Sequence, residues 1–435
     1  MSDKLLPEVD DVPPITSAPG PTEPRYDTPN RAQVELYPCD LEALLPAGHA
    51  ARLVWRFVDG LSLDAFYAAI RAREGRPGRP PIDPKVLIAL WLYATIDGVG
   101  SAREVDRLCQ QHDAYRWIRG GLSVNYHTLS DFRVDHQAAL NDLLTQSIAA
   151  LIKRNVITLV RVAQDGTRVR ASAGIRSFRR RPTLEEALRV ARRQVERTAR
   201  QADGAALSRQ AAAQARAAAE QVARVDEALA EMPAVEAAKA RNTSKATPRV
   251  STTDPEARVM KMTDGGYRPA YNVHFATDVD SRAIVGVTVT NVGSDQPAFL
   301  PMLDQIIERT GQAPASELVD GGFVTHEAIT AADAAGVTVY APVPKPKGAR
   351  DPAVACRGDS AAVAAWRARM ATDEAKALYR ARAATAEWVN ADTRTHRTLG
   401  PLLVRSVDKV HTWVLWIALA HNMMRTMGIV PHLMM

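Results

Sequence analysis

Three acids stand where side-chain chemistry is simplest to assemble: Asp165, Asp320 and Glu387. Asp165 follows an apolar, β-branched stretch, residues 157–163, and precedes Gly166. Asp320 follows Glu317, Leu318 and Val319 and precedes Gly321 and Gly322. A carboxylate at the C-terminal end of a strand, with glycine beside it, leaves room for a cation and an anionic group. Glu387 lies among small residues in a helical stretch. Arg380 is seven residues before it and Arg394 seven after, two turns each way, so all three share a face. Magnesium takes oxygen ligands and keeps several waters, so a few carboxylates suffice to hold it. Two divalent ions about 3.5–4 Å apart can stabilise the attacking and leaving oxygens of a phosphoryl transfer. Mg2+ (or Mn2+) held by Asp165, Asp320 and Glu387 is the chemistry these residues predict. Taken singly, an Asp-Gly pair more often closes a turn, and a Glu between arginines is as often a solvated helix face.

The elements around the acids decide between these readings. Residues 41–152 carry apolar positions at helical spacing, as in Val86, Leu87, Leu90, Leu92 and Tyr93. Ser101 and Glu104 have capping-box spacing, and Asn125 or Thr128 can start a further helix. Residues 157–163 predict a strand ending at Asp165, with residues 167–171 beyond the turn. Residues 184–232 are rich in Ala, Arg and Gln, nearly free of β-formers and divided at Gly204, the pattern of a helical hairpin or arm. Strands return at 271–277 and 283–290, and a short one at 317–319 ends on Asp320. A helix at 299–309, another at 325–335, a strand at 337–342, and helices at 372–393 and 403–427 complete the chain. This order predicts an α/β fold, a ribonuclease-H-like mixed sheet with an N-terminal all-α domain and an inserted helical arm. The two Asp-Gly pairs then fall at the ends of two strands in the order such a sheet requires. The expected boundaries are a Pro-rich disordered tail at 1–36, a helical DNA-binding domain at 37–152, the start of the catalytic domain at 153–182, the arm at 183–248, and the remainder at 249–430.

Composition sets limits on the alternatives. The 435 residues carry a net charge of +6, which permits nucleic-acid binding without requiring it. The basic excess is local: between Arg176 and Asp203 nine arginines face only Glu185, Glu186, Glu196 and Asp203. Cys39, Cys109 and Cys356 are isolated and lack zinc-ligand spacing. The N-terminus has neither a basic start nor an apolar segment, and the longest apolar run, residues 413–420, is too short to span a bilayer. These features point to a cytoplasmic, nucleoid-associated protein with no membrane partner.

Several segments together resemble a DDE transposase of the large bacterial insertion-sequence superfamily with a Tyr-x2-Arg-x3-Glu-x6-Lys signature helix. They are the stretch 78–85 with Tyr93 and Ser101 to Glu104; Val162-Ala163-Gln164-Asp165-Gly166-Thr167-Arg168; Asp254 to Arg258, Gly266-Tyr267 and Tyr271-Asn272-Val273; Val319-Asp320-Gly321-Gly322-Phe323; and Ala418-Leu419-Ala420-His421-Asn422. The resemblance covers about residues 36–428. It implies double-stranded DNA as partner, the element's inverted repeats and a target, and a dimer on DNA. Two departures stand out. Four residues rather than three separate Arg382 from Glu387, which on a regular helix turns Arg382 away from the acid's face. Arg394 replaces the signature Lys and keeps its charge.

For DNA contacts the sequence offers Arg168, Arg170, Arg179, Arg180 and Arg181 just past the first acid, Arg380 and Arg394 beside the third, and Arg133 in a helix-turn-helix-like stretch at 83–136. Arg76 to Pro80 loosely resembles a minor-groove hook. Trp388, His421 and Asn422 read as packing groups. The alternatives are a nuclease that hydrolyses without joining and a repurposed DNA-binding protein without catalysis.

Overall fold

The computed structural model describes residues 40–70, 80–202, 209–241, 246–344 and 351–429. The Pro-rich tail, the hook at 76–79 and Gly204 lie outside these.

Among the described residues seven α-helices come first: α1 (Ala50–Asp59), α2 (Asp64–Ala68), α3 (Pro84–Ile96), α4 (Ala102–Gln111), α5 (Asp113–Arg119), α6 (Tyr126–Asp135) and α7 (Gln137–Lys153). Asp83 caps α3 by accepting from the Lys85 amide, and Pro84 takes the first turn, where its missing N–H costs nothing. From Val86 to Thr95, α3 is buried on every side. Asn125 caps α6 through the Thr128 amide, whereas Ser101 makes no side-chain cap.

Strand β1 (Arg161–Arg170) opens the sheet and runs through short β2 (Phe178–Arg179) into the arm, α8 (Arg181–Ala202) and α9 (Arg209–Arg241). The pairs Arg181–Glu236 and Arg192–Asp226 set the arm helices antiparallel. Leu184, Val225, Ala228, Met232, Val235 and Val250 form a small core of their own. Then follow β3 (Val250–Ser251), β4 (Arg258–Lys261), β5 (Tyr267–Asp278), β6 (Ile284–Thr290), α10 (Phe299–Thr310), β7 (Ser316–Leu318), α11 (His326–Ala334), β8 (Thr338–Tyr340) and α12 (Ala361–Ala371). The chain ends in α13 (Asp373–Arg382), a π-helical turn (Ala383–Glu387), α14 (Trp388–His396) and α15 (Val407–Ile429). No strand, turn or arm signal in the sequence marks α12; its Ala-rich run lacks a distinct apolar stripe.

The main sheet has the order β4-β5-β1-β7-β8, with β6 beside β5. β1 pairs antiparallel with β5 and parallel with β7, and β7 pairs parallel with β8. A three-stranded antiparallel half joined to a parallel half through the first strand is the ribonuclease-H-like arrangement the element order predicts. One core cluster unites α1, α3, α6 and α7 with β1, β5 and β6 and with α15. Trp91 and Trp413 meet edge to face at 5.7 Å, and the Trp416 indole donates to the Arg133 carbonyl at 3.0 Å. His421 bridges Asp392 and the Arg282 carbonyl, and Asn422 pairs with both backbone groups of Ile284, so these polar groups are satisfied inside the core.

Candidate active site

The first acid is not at a strand end. β1 continues past it to Arg170, because Thr167 and Val169 keep the inward alternation and pair with Val273 and Tyr271. Asp165 therefore sits mid-strand, opposite Phe275. The β7 partner stops earlier: the last parallel pair is Ala163 with Leu318. Two residues further along come Asp165, still within β1, and Asp320, just past the end of β7 where the Val319 amide continues the bonding to Tyr340 at 3.0 Å. Side chains alternate with a period of two, so both carboxylates leave the same sheet face at neighbouring positions. Asp320 is exposed, with its Oδ1 accepting from the Gly321 amide at 2.8 Å.

The third acid reaches this face on the helices laid across it. Ala386 packs on Ala163 and Leu318. Four residues on, Asn390 donates to Asp165 Oδ2 at 3.1 Å, and four further, Arg394 donates to the Arg168 carbonyl at 2.7 Å. A ridge at i, i+4, i+8 thus lies along β1. The small residues from Ala383 to Ala386 let the backbone approach the strand.

The unusual signature spacing is resolved by the π turn. In a regular α-helix the one-turn neighbours of Arg382 are three or four residues on, and Glu387, at five, faces elsewhere. From Ala383 to Glu387 the helix instead takes the wider π form, whose bonding spans five residues. Arg382 and Glu387 then face each other across one turn, at 3.8 Å. The same guanidinium lies 3.5 Å from Asp165 and 5.7 Å from the Tyr379 ring. The turning-away expected on a regular helix does not occur, because the extra residue is absorbed locally. Deleting Ala384 should therefore straighten the helix to the four-residue spacing while keeping Arg382 opposite Glu387. DNA cleavage by that deletion variant is expected within about 10-fold of the parent. Loss as deep as that from removing an acid would show that the π turn itself is required.

Electrostatics single out Asp165. Burial pushes its carboxyl up to about 6, opposed by the Arg382 charge and the Gly166 amide, and reinforced by Asp295 and Asp320. A carboxylate short of positive charge, beside a second one on the same face, is a donor set suited to a hard divalent cation. Glu387 differs: its side chain is 64% exposed, and Arg382 lies between it and Asp165. Among the described residues no group of three or more His, Cys, Asp or Glu side chains is gathered tightly enough to grip a metal. By charge and chemistry the site fits the ion at Asp165 and Asp320, with Arg382 standing in for part of the positive charge.

Residues that sequence reasoning missed lie beneath Gly166, on the opposite sheet face. His274 pairs with Gly166 in register. It is fully buried, neither ring nitrogen has a hydrogen-bond partner among the described residues, and burial pushes it down to about 4, so it is neutral. Asp295 lies 3.9 Å from it and accepts from Asn272 at 2.7 Å. A Cβ on Gly166 would fall 2.6 Å from Asp295 Oδ1 and 2.9 Å from the His274 ring, so the glycine is there for close approach rather than for a turn. Phe323, three residues past Asp320, meets the His274 ring edge to face at 5.7 Å. His274 therefore underlies both acidic segments. Only the alternation of β5 with β1 could have revealed it, and that needs the strand register.

The arginines separate into three groups. Arg170, Arg179, Arg180 and Arg380 are exposed. Arg168, Arg181 and Arg394 are committed: Arg168 donates to the Lys261 and Gly293 carbonyls, Arg181 pairs with Glu236, and Arg394 holds β1. Arg133, expected to face DNA, is internal. It is 6% exposed, donates to the Gly100 carbonyl at 2.6 Å and lies over the Trp91 and Trp413 rings. α6 is wedged between α3 and α15, and that packing turns Arg133 inward. Asn390 was also missed, and its place on the Ala386–Arg394 ridge was readable only once the π turn was known.

A ribonuclease-H-like sheet with two adjacent Asp on one face defines the class: proteins that act on phosphodiester backbones of nucleic acids. Comparison with family models specifies it further. A transposase domain model (DUF772) matches residues 39–135, and a transposase DDE domain model matches residues 240–423. The chain belongs to the DDE transposases of insertion sequences. Residues 136–239, which hold Asp165 and most of the arm, lie between the two matches. Searches of curated proteins and of solved structures each returned no match. Among the described residues no helix is long and apolar enough to cross a membrane.

Proposed function

We propose that the protein binds the ends of its insertion sequence at the nucleoid, cuts them and joins them to target DNA with Mg2+ or Mn2+. The observation that carries this reading is the placement of Asp165 and Asp320 at adjacent positions on one sheet face, with Arg382 linking Asp165 to Glu387. Asp165 and Asp320 would hold the ion, and Glu387 would complete the set. The bound ion supplies Lewis-acid charge to the phosphodiester oxygens. Arg382 and Tyr379 orient the scissile phosphate beside Asp165, while Arg170, Arg180 and Arg380 take flanking phosphates. Asn390 holds Asp165 in its rotamer through Oδ2. Joining two ends requires two copies, so a dimer forms on DNA.

The test uses the full chain, labelled duplexes spanning the boundaries of the DNA element that encodes it, and Mg2+. The expected result is metal-dependent nicking at the boundary and joining of pre-cut ends to a second duplex. Nicking without joining assigns a nuclease instead. Binding with neither reaction overturns the enzymatic reading in favour of a DNA-binding protein whose Arg382 fills the place of the cation.

A further inference from the structure

We infer that the root of the α8–α9 arm is a phosphodiester-binding cleft that clamps the backbone of duplex DNA away from the three acids. This rests on the reading of DNA as substrate given above. The cleft, of about 450 Å³, is lined by Arg179 of β2, Arg224 of α9 and Arg405 of the segment before α15, together with Thr183, Gln221, Thr252 and Thr253. Three separate parts of the chain thus deliver one guanidinium each to a single concavity.

Several arginines of the arm and the adjoining strand have partners: Arg181 pairs with Glu236, Arg192 with Asp226, Arg189 with Glu186 and Arg258 with Glu231. Arg179, Arg224 and Arg405 take part in no ion pair among the described residues, and no Asp or Glu lines the cleft. The buried acid Asp254, whose carboxyl the Arg405 charge reaches, is outside the lining and accepts through Oδ1 from the Tyr271 hydroxyl at 2.6 Å and the Ser406 amide at 3.3 Å. Like charges gathered without a carboxylate are stabilised by a bound anion. Guanidinium forks with hydroxyl and amide donors match phosphate oxygens.

The lining also selects among anions. It has no aromatic side chain on which an unpaired base could stack, so the cleft is suited to backbone rather than to bases. Its position favours a polymer over a free ion. The Leu402 amide donates to the Arg170 carbonyl at 2.9 Å, tying the segment that leads to Arg405 to the end of the strand that carries Asp165. In the other direction α8 presents Arg193, Arg197 and Arg200, spaced four and three residues apart, along a second groove that Glu196 also lines, with Arg193 lying 3.8 Å from Glu186, so the groove keeps a net positive charge. A cationic path therefore leaves the catalytic strand, crosses the cleft and continues up the arm, and a duplex offers one negative charge per about 1.7 Å along its axis.

The test compares the full chain with the Arg224→Ala/Arg405→Ala double variant. Both side chains are exposed, and matched thermal unfolding midpoints check that the fold is intact. Binding of a 30-base-pair random duplex and of an end duplex is followed by fluorescence anisotropy across a salt series. The expected result is an affinity about 10-fold or more weaker for both duplexes, with the slope of log K against log salt shallower by about 2, one unit for each lost phosphate contact. The Arg224→Lys/Arg405→Lys variant should recover most of that slope. An unchanged slope in the alanine variant, a loss confined to the end sequence, or competition by millimolar inorganic phosphate alone would overturn the clamp. If the parent chain binds no duplex, the transposase reading falls with it; if the parent binds and the variant matches it, only the clamp falls.

Discussion

Replacing Asp165 with Asn is expected to lower metal-dependent end cleavage by about 10³-fold or more while leaving end binding within about 2-fold, since the lost interactions belong to the reacting phosphate. Asn keeps the shape and the contact with Asn390 but removes the charge. On the proposed function DNA affinity resides in the exposed arginines, which the change does not touch. The stability effect runs the other way. The folded carboxyl sits at about 6 against an ordinary 3.8. Its raised value means the folded state keeps a proton that the unfolded chain has lost. Stability therefore falls as pH rises from about 4 through 6, and above that window the charged form costs up to roughly 3 kcal/mol. The Asn variant should be the more stable protein at pH 7.5 and lose that advantage at pH 3.5, as read by urea midpoints. Divalent cations compete with the same proton, so Mn2+ affinity of the parent should weaken as pH drops below 6. Cleavage by the Asn variant within about 10-fold of the parent would remove Asp165 from the chemistry.

Replacing Glu317 with Gln is expected to stabilise the protein, and increasingly so as pH rises. Glu317 lies mid-β7 between Val162 and Val339, fully buried, and neither carboxyl oxygen has a partner among the described residues. Burial pushes it up to about 8 from an ordinary 4.5. Below pH 4.5 it is neutral in both states and contributes no pH dependence. Between 4.5 and 8 the unfolded chain ionises and the folded one does not, so stability falls by about 1.4 kcal/mol per pH unit, reaching at most roughly 5 kcal/mol. Gln removes that slope but leaves a buried amide, which costs about 1–3 kcal/mol if it finds no partner. Unfolding free energies of parent and variant from urea titrations should be close at pH 4.5 and should separate by a few kcal/mol at pH 8.5. A gap equal at both pH values would show that Glu317 does not titrate in this window. The residue lies three positions before Asp320, so this destabilisation is carried by the strand that delivers the second acid.

Much of this molecule was legible before folding. The helical N-terminal region, the β5–β6 hairpin, α10, the short strand before Asp320, the arm and the family follow from residue periodicity, turn residues and ordered motifs, all of which act over a few turns or strand positions. The nearness of Asp165 to Asp320 was legible too, as the order of two strands, though not as their shared face. That needed the parallel register, and the register placed Asp165 in the middle of a strand where the local pattern indicated an end. The Arg382–Glu387 pair shows the limit most clearly. Spacing alone, with a regular helix assumed, separates them; the π turn, held by small residues packed on β1, brings them together. Arg133 fails as a surface residue for the converse reason: an arginine at a helix position reads as solvated until two tryptophans from helices far apart in sequence close over it. His274, Asp295 and the Arg179–Arg224–Arg405 cleft left no local mark, because each draws on segments tens to hundreds of residues apart. The sequence by itself determined which chemistry is available and which elements carry it, since these depend on side-chain type and short-range periodicity. Only the tertiary structure decided which charges are buried, paired or free, since that depends on packing between segments distant in the chain.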